Sequence, residues 1–428
     1  HSTPMTTRIL APAAFVAFAS TAAAQCDVPE IQPRMGEPVN GLTVSELERF
    51  EAGKVAFGTP LTEAEGLGPI FNEDACASCH SQPAIGGFST FLVTRFGVAA
   101  NGGNPFDPLD SLGGSLLQLQ TIDPICQEVV PAQADVVIAR LTPICNGLGL
   151  VEAIVDQDIE EIENNPPAGI SGISKPVQPL EGGPMRLARF GWKGDIATAF
   201  SFSIDAGLNE MGLTSTFLPE DNAPNGDTVL RDQCDTVADP EDVTDPMGFT
   251  RIDRFTDFQR FLAAPPQTPK SGMSGEALFN AIGCNACHVS DPYTTGTVAE
   301  AALSGVEIKP YSDYLLPDLG TLGDGNVSGN ATENEMMTRA LWGDGRRTAL
   351  LHDGRSTGGT FASNLADAVN EHGGEGAASR AAFQALTAPE QQQVAEFLAS
   401  LGQAEFDWES DNDVDRFDWF FLEPELTG

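Results

Sequence analysis

The apolar positions fall into short helical stripes set apart by long loop-rich stretches. Leu47, Phe50 and Phe57 mark one face of a helix that Ser45 and Glu48 can open as a capping box. Phe255, Phe258, Phe261 and Leu262 form a second stripe, which stops at Pro265-Pro266. Leu278, Phe279 and Ile282 make a third. Val394, Phe397, Leu398 and Leu401 make a fourth, opened by the box Thr387 to Glu390 and closed by Gly402. The long stretch from Ser81 to Ala264 is rich in Gly, Pro and Asp and carries only short apolar runs, so it reads as loops with short strands.

These breaks divide the chain. Met5 to Arg8, the apolar run Ile9 to Ser20 and the small residues Ala22 to Ala24 have the form of a secretory signal peptide, too short for a membrane span. Residues 1–24 are therefore set aside, with His1 to Pro4 ahead of the initiator Met5. An N-terminal domain covers 25–264, a linker 265–272, a C-terminal domain 273–403, and an acidic aromatic tail 404–428. The expected location is the periplasm. Lys plus Arg is 22 against 61 acidic residues, a formal charge of -39. A phosphate backbone would be repelled, which excludes nucleic acid as a partner.

Four of the eight cysteines stand in Cys76-Ala77-Ser78-Cys79-His80 and Cys284-Asn285-Ala286-Cys287-His288. Two thiols at this spacing can form thioethers to both vinyl groups of one porphyrin, and the adjacent histidine then reaches the iron. Two covalently bound haem c groups are expected, on Cys76, Cys79 and His80 and on Cys284, Cys287 and His288. The fold class is then mainly α, with two cytochrome c-like haem domains, the first carrying large loop and short-strand insertions. Cys26, Cys126, Cys145 and Cys234 remain. Cys126 with Cys145 closes a loop of about 20 residues worth roughly 3 kcal/mol, which leaves Cys26 for Cys234. In the tail, Asp411, Asp413 and Asp415 alternate as in a Ca2+ loop but lack its glycine and distant glutamate.

A second axial ligand decides whether a haem carries electrons or meets small oxidants. Apart from His1 and the motif histidines, only His352 and His372 exist, both in the second domain. Leu365, Val369 and His372 share a helical face, which makes His372 the expected sixth ligand of the second iron. His352 is a weaker candidate, in a turn whose Arg355 could pair with a haem propionate.

Phe71 to Cys76, His80 to Gly87, Arg189 to Lys193, Tyr311-Ser312-Asp313 and Leu351 to Arg355 resemble the di-haem oxidoreductase family, a branch of the bacterial di-haem cytochrome c peroxidase and MauG superfamily. The resemblance implies a glutamate over the first haem and a tryptophan between the haems, positions that Glu210 and Trp192 match. It places His372 at the sixth ligand of the electron-transfer haem. Two departures stand out: no histidine follows the first motif between Ser81 and Asn104, and Pro317 stands where the family often has histidine.

The implied activity is reduction of hydrogen peroxide, or another small oxidant, at the first haem. Glu210 would move the proton, with Glu152 in reserve, and a small redox protein would supply electrons. Alternatives from other classes are a plain electron carrier using Met185 or Met211 as the missing ligand, a MauG-like or oxygenase-type enzyme acting on an organic or protein substrate, and a haem-bearing structural module.

Overall fold

A computed structural model describes residues 32–101 and 105–404. The signal segment, Cys26 and the acidic tail with Asp411, Asp413 and Asp415 lie outside the described residues. Helix makes up 35% and strand 13%, so the chain is mainly α with some short strands, as the stripes predict. In chain order the helices are α1 (Val44–Gly58), α2 (Cys76–Cys79), α3 (Leu148–Glu152), α4 (Asp156–Asn164), α5 (Ala199–Met211) and α6 (Thr228–Cys234). They continue with α7 (Arg251–Phe261), α8 (Ser274–Ala281), α9 (Phe361–Glu371), α10 (Ala377–Ala385) and α11 (Ala388–Ala399). Among the described residues no helix is long and apolar enough to cross a membrane.

The capping box Thr387 to Glu390 opens α11 as expected. In α1 the cap is two residues earlier than Ser45: the Thr43 hydroxyl accepts from the Glu46 N–H at 3.3 Å, and Glu46 accepts from the Thr43 N–H at 2.7 Å. Two boxes overlap in this sequence, and the earlier one satisfies its donors first, leaving Ser45 inside the first turn. Leu47 is accordingly 42% exposed, while Phe50 and Phe57 are buried.

Close helix contacts depend on two glycines. A Cβ on Gly53 of α1 would lie 2.5 Å from the Arg254 carbonyl of α7, and one on Gly275 of α8 would lie 1.8 Å from the Gln393 carbonyl of α11. Any larger residue would push these backbones apart. Phe50 and Phe57 then pack against Phe258 as tilted rings, 5.3 and 4.8 Å between centroids. This first core also takes in Tyr293, Tyr314 and Trp342, whereas Phe279, Tyr311, Leu365 and Phe397 belong to a second. The chain after 272 thus contributes to both cores.

A three-stranded antiparallel sheet has Leu92–Gly97 in the middle, flanked by Leu116–Leu117 and Val136–Leu141. Its register sets Val93 opposite Arg140 and Arg95 opposite Ile138. Alternation therefore puts Val93, Arg95 and Arg140 on one face.

The expected disulfides are corrected. Cys126 bonds to Cys234, because the turn Pro124–Cys126 packs on α6, and Cys145 is free and buried. The separation of 108 residues makes this bond worth roughly 4–5 kcal/mol in the chain-entropy model. Loop length alone favoured the near partner, but the fold decides which thiols meet.

Candidate functional site

Each Cys-x-x-Cys-His motif opens on its own cavity. The first, of about 430 Å³, is walled by Cys76, Cys79 and His80, by Val93, Arg95 and Arg140 of the sheet, and by Asp205 and Glu210 of α5. The second, of about 230 Å³, holds Cys284, Cys287 and His288 together with His372 at the C-terminal end of α9.

The histidines share one arrangement. Nδ1 of His80 lies 3.2 Å from the Gly87 carbonyl, that of His288 3.0 Å from the Tyr311 carbonyl, and that of His372 2.9 Å from the Ala368 carbonyl. Burial pushes His80 and His288 down to about 4 and lowers His372 as well. A neutral ring that donates from Nδ1 has its Nε2 lone pair free, the state an iron ligand needs. Tyr311, of the Tyr-Ser-Asp run, has a φ of 55° and presents its carbonyl to His288.

Among the described residues, the first cavity has His80 as its one histidine and Glu210 as a half-buried acid. The Asn72 amide donates to Glu210 Oε2 at 2.7 Å. Burial raises the Glu210 carboxyl above its ordinary range, while the Asn72 bond and Arg95 pull it back and Asp205 adds to the rise. Burial likewise raises Asp205. In the second cavity, burial pushes Arg339 down to about 10 and Asp344 up to about 6.

Among the described residues, Trp192 is the one that lines both cavities. Its Nε1 donates to the Leu141 carbonyl at 3.1 Å, the His352 ring meets it edge-on at 6.2 Å, and the Arg339 guanidinium lies 5.3 Å from its centroid. Its neighbours pin the segment. Arg189 donates to the Glu152 carbonyl and pairs with Asp156, and Lys193 pairs with Asp324 at 3.1 Å.

Other expected site residues are placed differently. The Glu152 carboxylate accepts from the Ala199 N–H at 2.8 Å, capping α5, and it lines neither cavity. A negative charge suits that helix N-terminus. Arg355 pairs with Asp353 at 2.6 Å and Glu371 at 3.1 Å and does not line the second cavity. His352 does line it, as does Pro317. Met185 is 53% exposed and outside both cavities, whereas Met211 is buried on the wall of the first.

Sequence reasoning missed four polar residues. Arg339 and Arg347 face the second cavity, Arg95 faces the first, and Asn72 holds Glu210. Arg95 and Arg347 each bury an Nε without a hydrogen-bond partner. A guanidinium on the wall of each cavity fits an anionic ligand such as a porphyrin carboxylate. Apart from the alternation of Arg95 and Arg140 with apolar neighbours, no local pattern marks these residues.

Comparisons with known proteins bear on the same region. No curated protein matches the chain. Among solved structures, the hydrazine synthase of Kuenenia stuttgartiensis is 14% identical, covers 91% of this chain and 99% of its own, and has a TM-score of 0.34, a likeness too low to carry an argument. The family model described as "Di-haem oxidoreductase, putative peroxidase" matches residues 129–401. That span holds Trp192, Glu210, the second motif and His372, and it begins after Cys76 to His80. With a haem-type motif at each of two cavities and a match over most of its length, the chain belongs to the di-haem oxidoreductase family.

Proposed function

We propose that the chain is a periplasmic di-haem c-type cytochrome that reduces hydrogen peroxide in the first cavity with electrons received through the second. In this reading residues 25–264 and 273–403 are the two cytochrome c-like domains, joined by 265–272. Cys76, Cys79 and His80 hold one haem, and Cys284, Cys287, His288 and His372 the other. Bound there, haem supplies one-electron chemistry and an iron site for the oxidant. The observation that carries the reading is the asymmetry of the cavities: the second is lined by both His288 and His372, while the first has the half-buried Glu210 carboxyl and, among the described residues, no second histidine.

The chain's own residues have distinct tasks. Glu210 accepts the proton from the inner peroxide oxygen on one Oε and returns it to the outer oxygen, so that water can leave as the O–O bond breaks. With two electrons and two protons, one peroxide yields two waters. Asn72 fixes Glu210, Arg95 and Arg347 hold porphyrin carboxylates, and Trp192 connects the two cavities. A small redox protein donates the electrons.

Replacing Glu210 with Gln should lower kcat/KM for peroxide by about 10²- to 10⁴-fold, with haem absorbance and thermal stability retained. An unchanged rate would remove Glu210 from the proton transfer. If oxidised protein bound no cyanide and gave no high-spin ferric signal, the proposed asymmetry itself would fail.

A further inference from the structure

A second cluster of acids lies far from this chemistry in role. Asp221, in the loop that leaves α5, Asp235, at the end of α6, and Asp239 bring carboxylate oxygens within 4.8 Å of one another. Asp221 is only 6% exposed, and its buried Oδ1 has no hydrogen-bond partner. Asp221 and Asp235 border a void of about 10 Å³, close to the size of one small sphere, together with Glu241 and the Cys234 end of the disulfide. The Thr214 hydroxyl donates to Asp239 at 3.1 Å, and the Thr214 N–H donates to Glu241 at 2.8 Å. Both acids are thus oriented from the segment that follows Glu210. Arg231, whose charge acts on Asp221, donates from Nε and Nη2 to Asp232 at 2.9 and 2.8 Å and pairs through Nη1 with Glu220 at 3.8 Å.

A buried, unpaired carboxylate oxygen facing two more acids is costly unless a cation joins them. We propose that Asp221, Asp235 and Asp239 bind one calcium ion, which ties the loop after α5 to the disulfide-anchored α6. Three carboxylate oxygens within 4.8 Å of one another can share one cation, and calcium accepts an irregular, all-oxygen set of ligands at about 2.3–2.6 Å. Magnesium, at about 2.0–2.1 Å with octahedral demands, suits it less. Without the ion, burial and Asp239, Asp235 and Glu241 push Asp221 up to about 8. The site is independent of the peroxidase reading, since none of its ligands lines either haem cavity.

The test uses the full-length haem-loaded protein, stripped with chelator and titrated with calcium alone by equilibrium dialysis, calorimetry and thermal unfolding. A variant with Asp411, Asp413 and Asp415 changed to Asn controls for the tail. The wild type and the tail variant should both bind calcium at this site, and Asp221→Asn should weaken binding by at least tenfold. Asp221→Asn should also lose most of the rise in melting temperature that saturating calcium gives the wild type, since an ion bound only by the folded state stabilises it. Asp239→Asn, at an exposed position, gives the same tenfold test should Asp221→Asn fail to fold. Calcium affinity unchanged in these variants, binding lost only in the tail variant, no binding by wild type, or equal binding of magnesium would each overturn the proposal.

Discussion

Asn72 sets the working range of Glu210, and its removal has a calculable sign. Asn72 is fully buried, its amide donates to Glu210 at 2.7 Å, and its Oδ1 accepts from the Leu119 N–H at 3.1 Å. A hydrogen bond to a charged group is worth about 1.5–3 kcal/mol, and one pKa unit corresponds to about 1.4 kcal/mol. In Asn72→Leu the ionised form of Glu210 loses that bond while burial and Asp205 continue to raise it. The carboxyl should therefore rise further above its ordinary range. If ionised Glu210 accepts the first proton, activity falls as pH drops through its pKa. The acid limb of kcat/KM against pH must then move upward by about 1–2 pH units. The stranded Leu119 N–H costs about 1–3 kcal/mol of stability, which thermal unfolding should register without loss of the fold. The assay is steady-state peroxide reduction with a reduced small cytochrome from about pH 4 to 9, a span wide enough to contain the acid limb of both proteins. An acid limb that stays in place or moves down in a folded variant refutes the coupling.

Two further perturbations read other parts of the site. His372→Gly should open a second iron position, so that oxidised protein binds two cyanides per chain rather than one, as measured by optical titration; a stoichiometry unaltered from wild type would remove His372 as a ligand. Asp324→Asn strands Arg140 and Lys193, whose bonds to it are 2.7 and 3.1 Å with no side-chain exposure of Asp324, and should cost about 3–5 kcal/mol by denaturant unfolding. Burial would raise Asp324, but Arg140 and Lys193 hold it below its ordinary 3.8. Its stabilisation is therefore present above that pH and lost on acidification, and the variant should show a smaller loss there.

What could be read from the sequence was local. The two haem-type motifs are set by spacing within five residues, and α7, α8 and α11 by stripes ending at proline or glycine. His372 was legible because Leu365 and Val369 fix the face it shares, and the structure brings it to the cavity of His288. The cap of α1 was ambiguous because Thr43 and Ser45 both stand three residues before a glutamate. Long-range partners were not legible. The disulfide needs the turn at Cys126 to meet α6, and Arg347 reaches the second cavity from a loop whose own neighbours give no sign of burial. Glu152 looked like an acid near the chemistry because sequence cannot show that its carboxylate is engaged by the N-terminus of α5.

The ion pairs around Trp192 need an explanation other than stability. Arg140 from the sheet and Lys193 beside the tryptophan converge on Asp324 from beyond the second motif, and Arg189, also beside it, pairs with Asp156. A buried ion pair of this kind is often no more stable than apolar side chains of the same volume. Directional bonds, however, fix a position that apolar packing leaves free to slide. Lys193 also donates to the Thr332 and Glu335 carbonyls at 2.9 and 2.6 Å, and the Met337 N–H donates to the Trp192 carbonyl at 3.0 Å. The turn that carries the indole is thus held by residues on both sides of 265–272, where Trp192 forms a wall of both cavities. If that wall carries electrons, small displacements of the ring would change the rate, and the charged clamp gives the chain a reason to retain groups that a purely apolar core would omit.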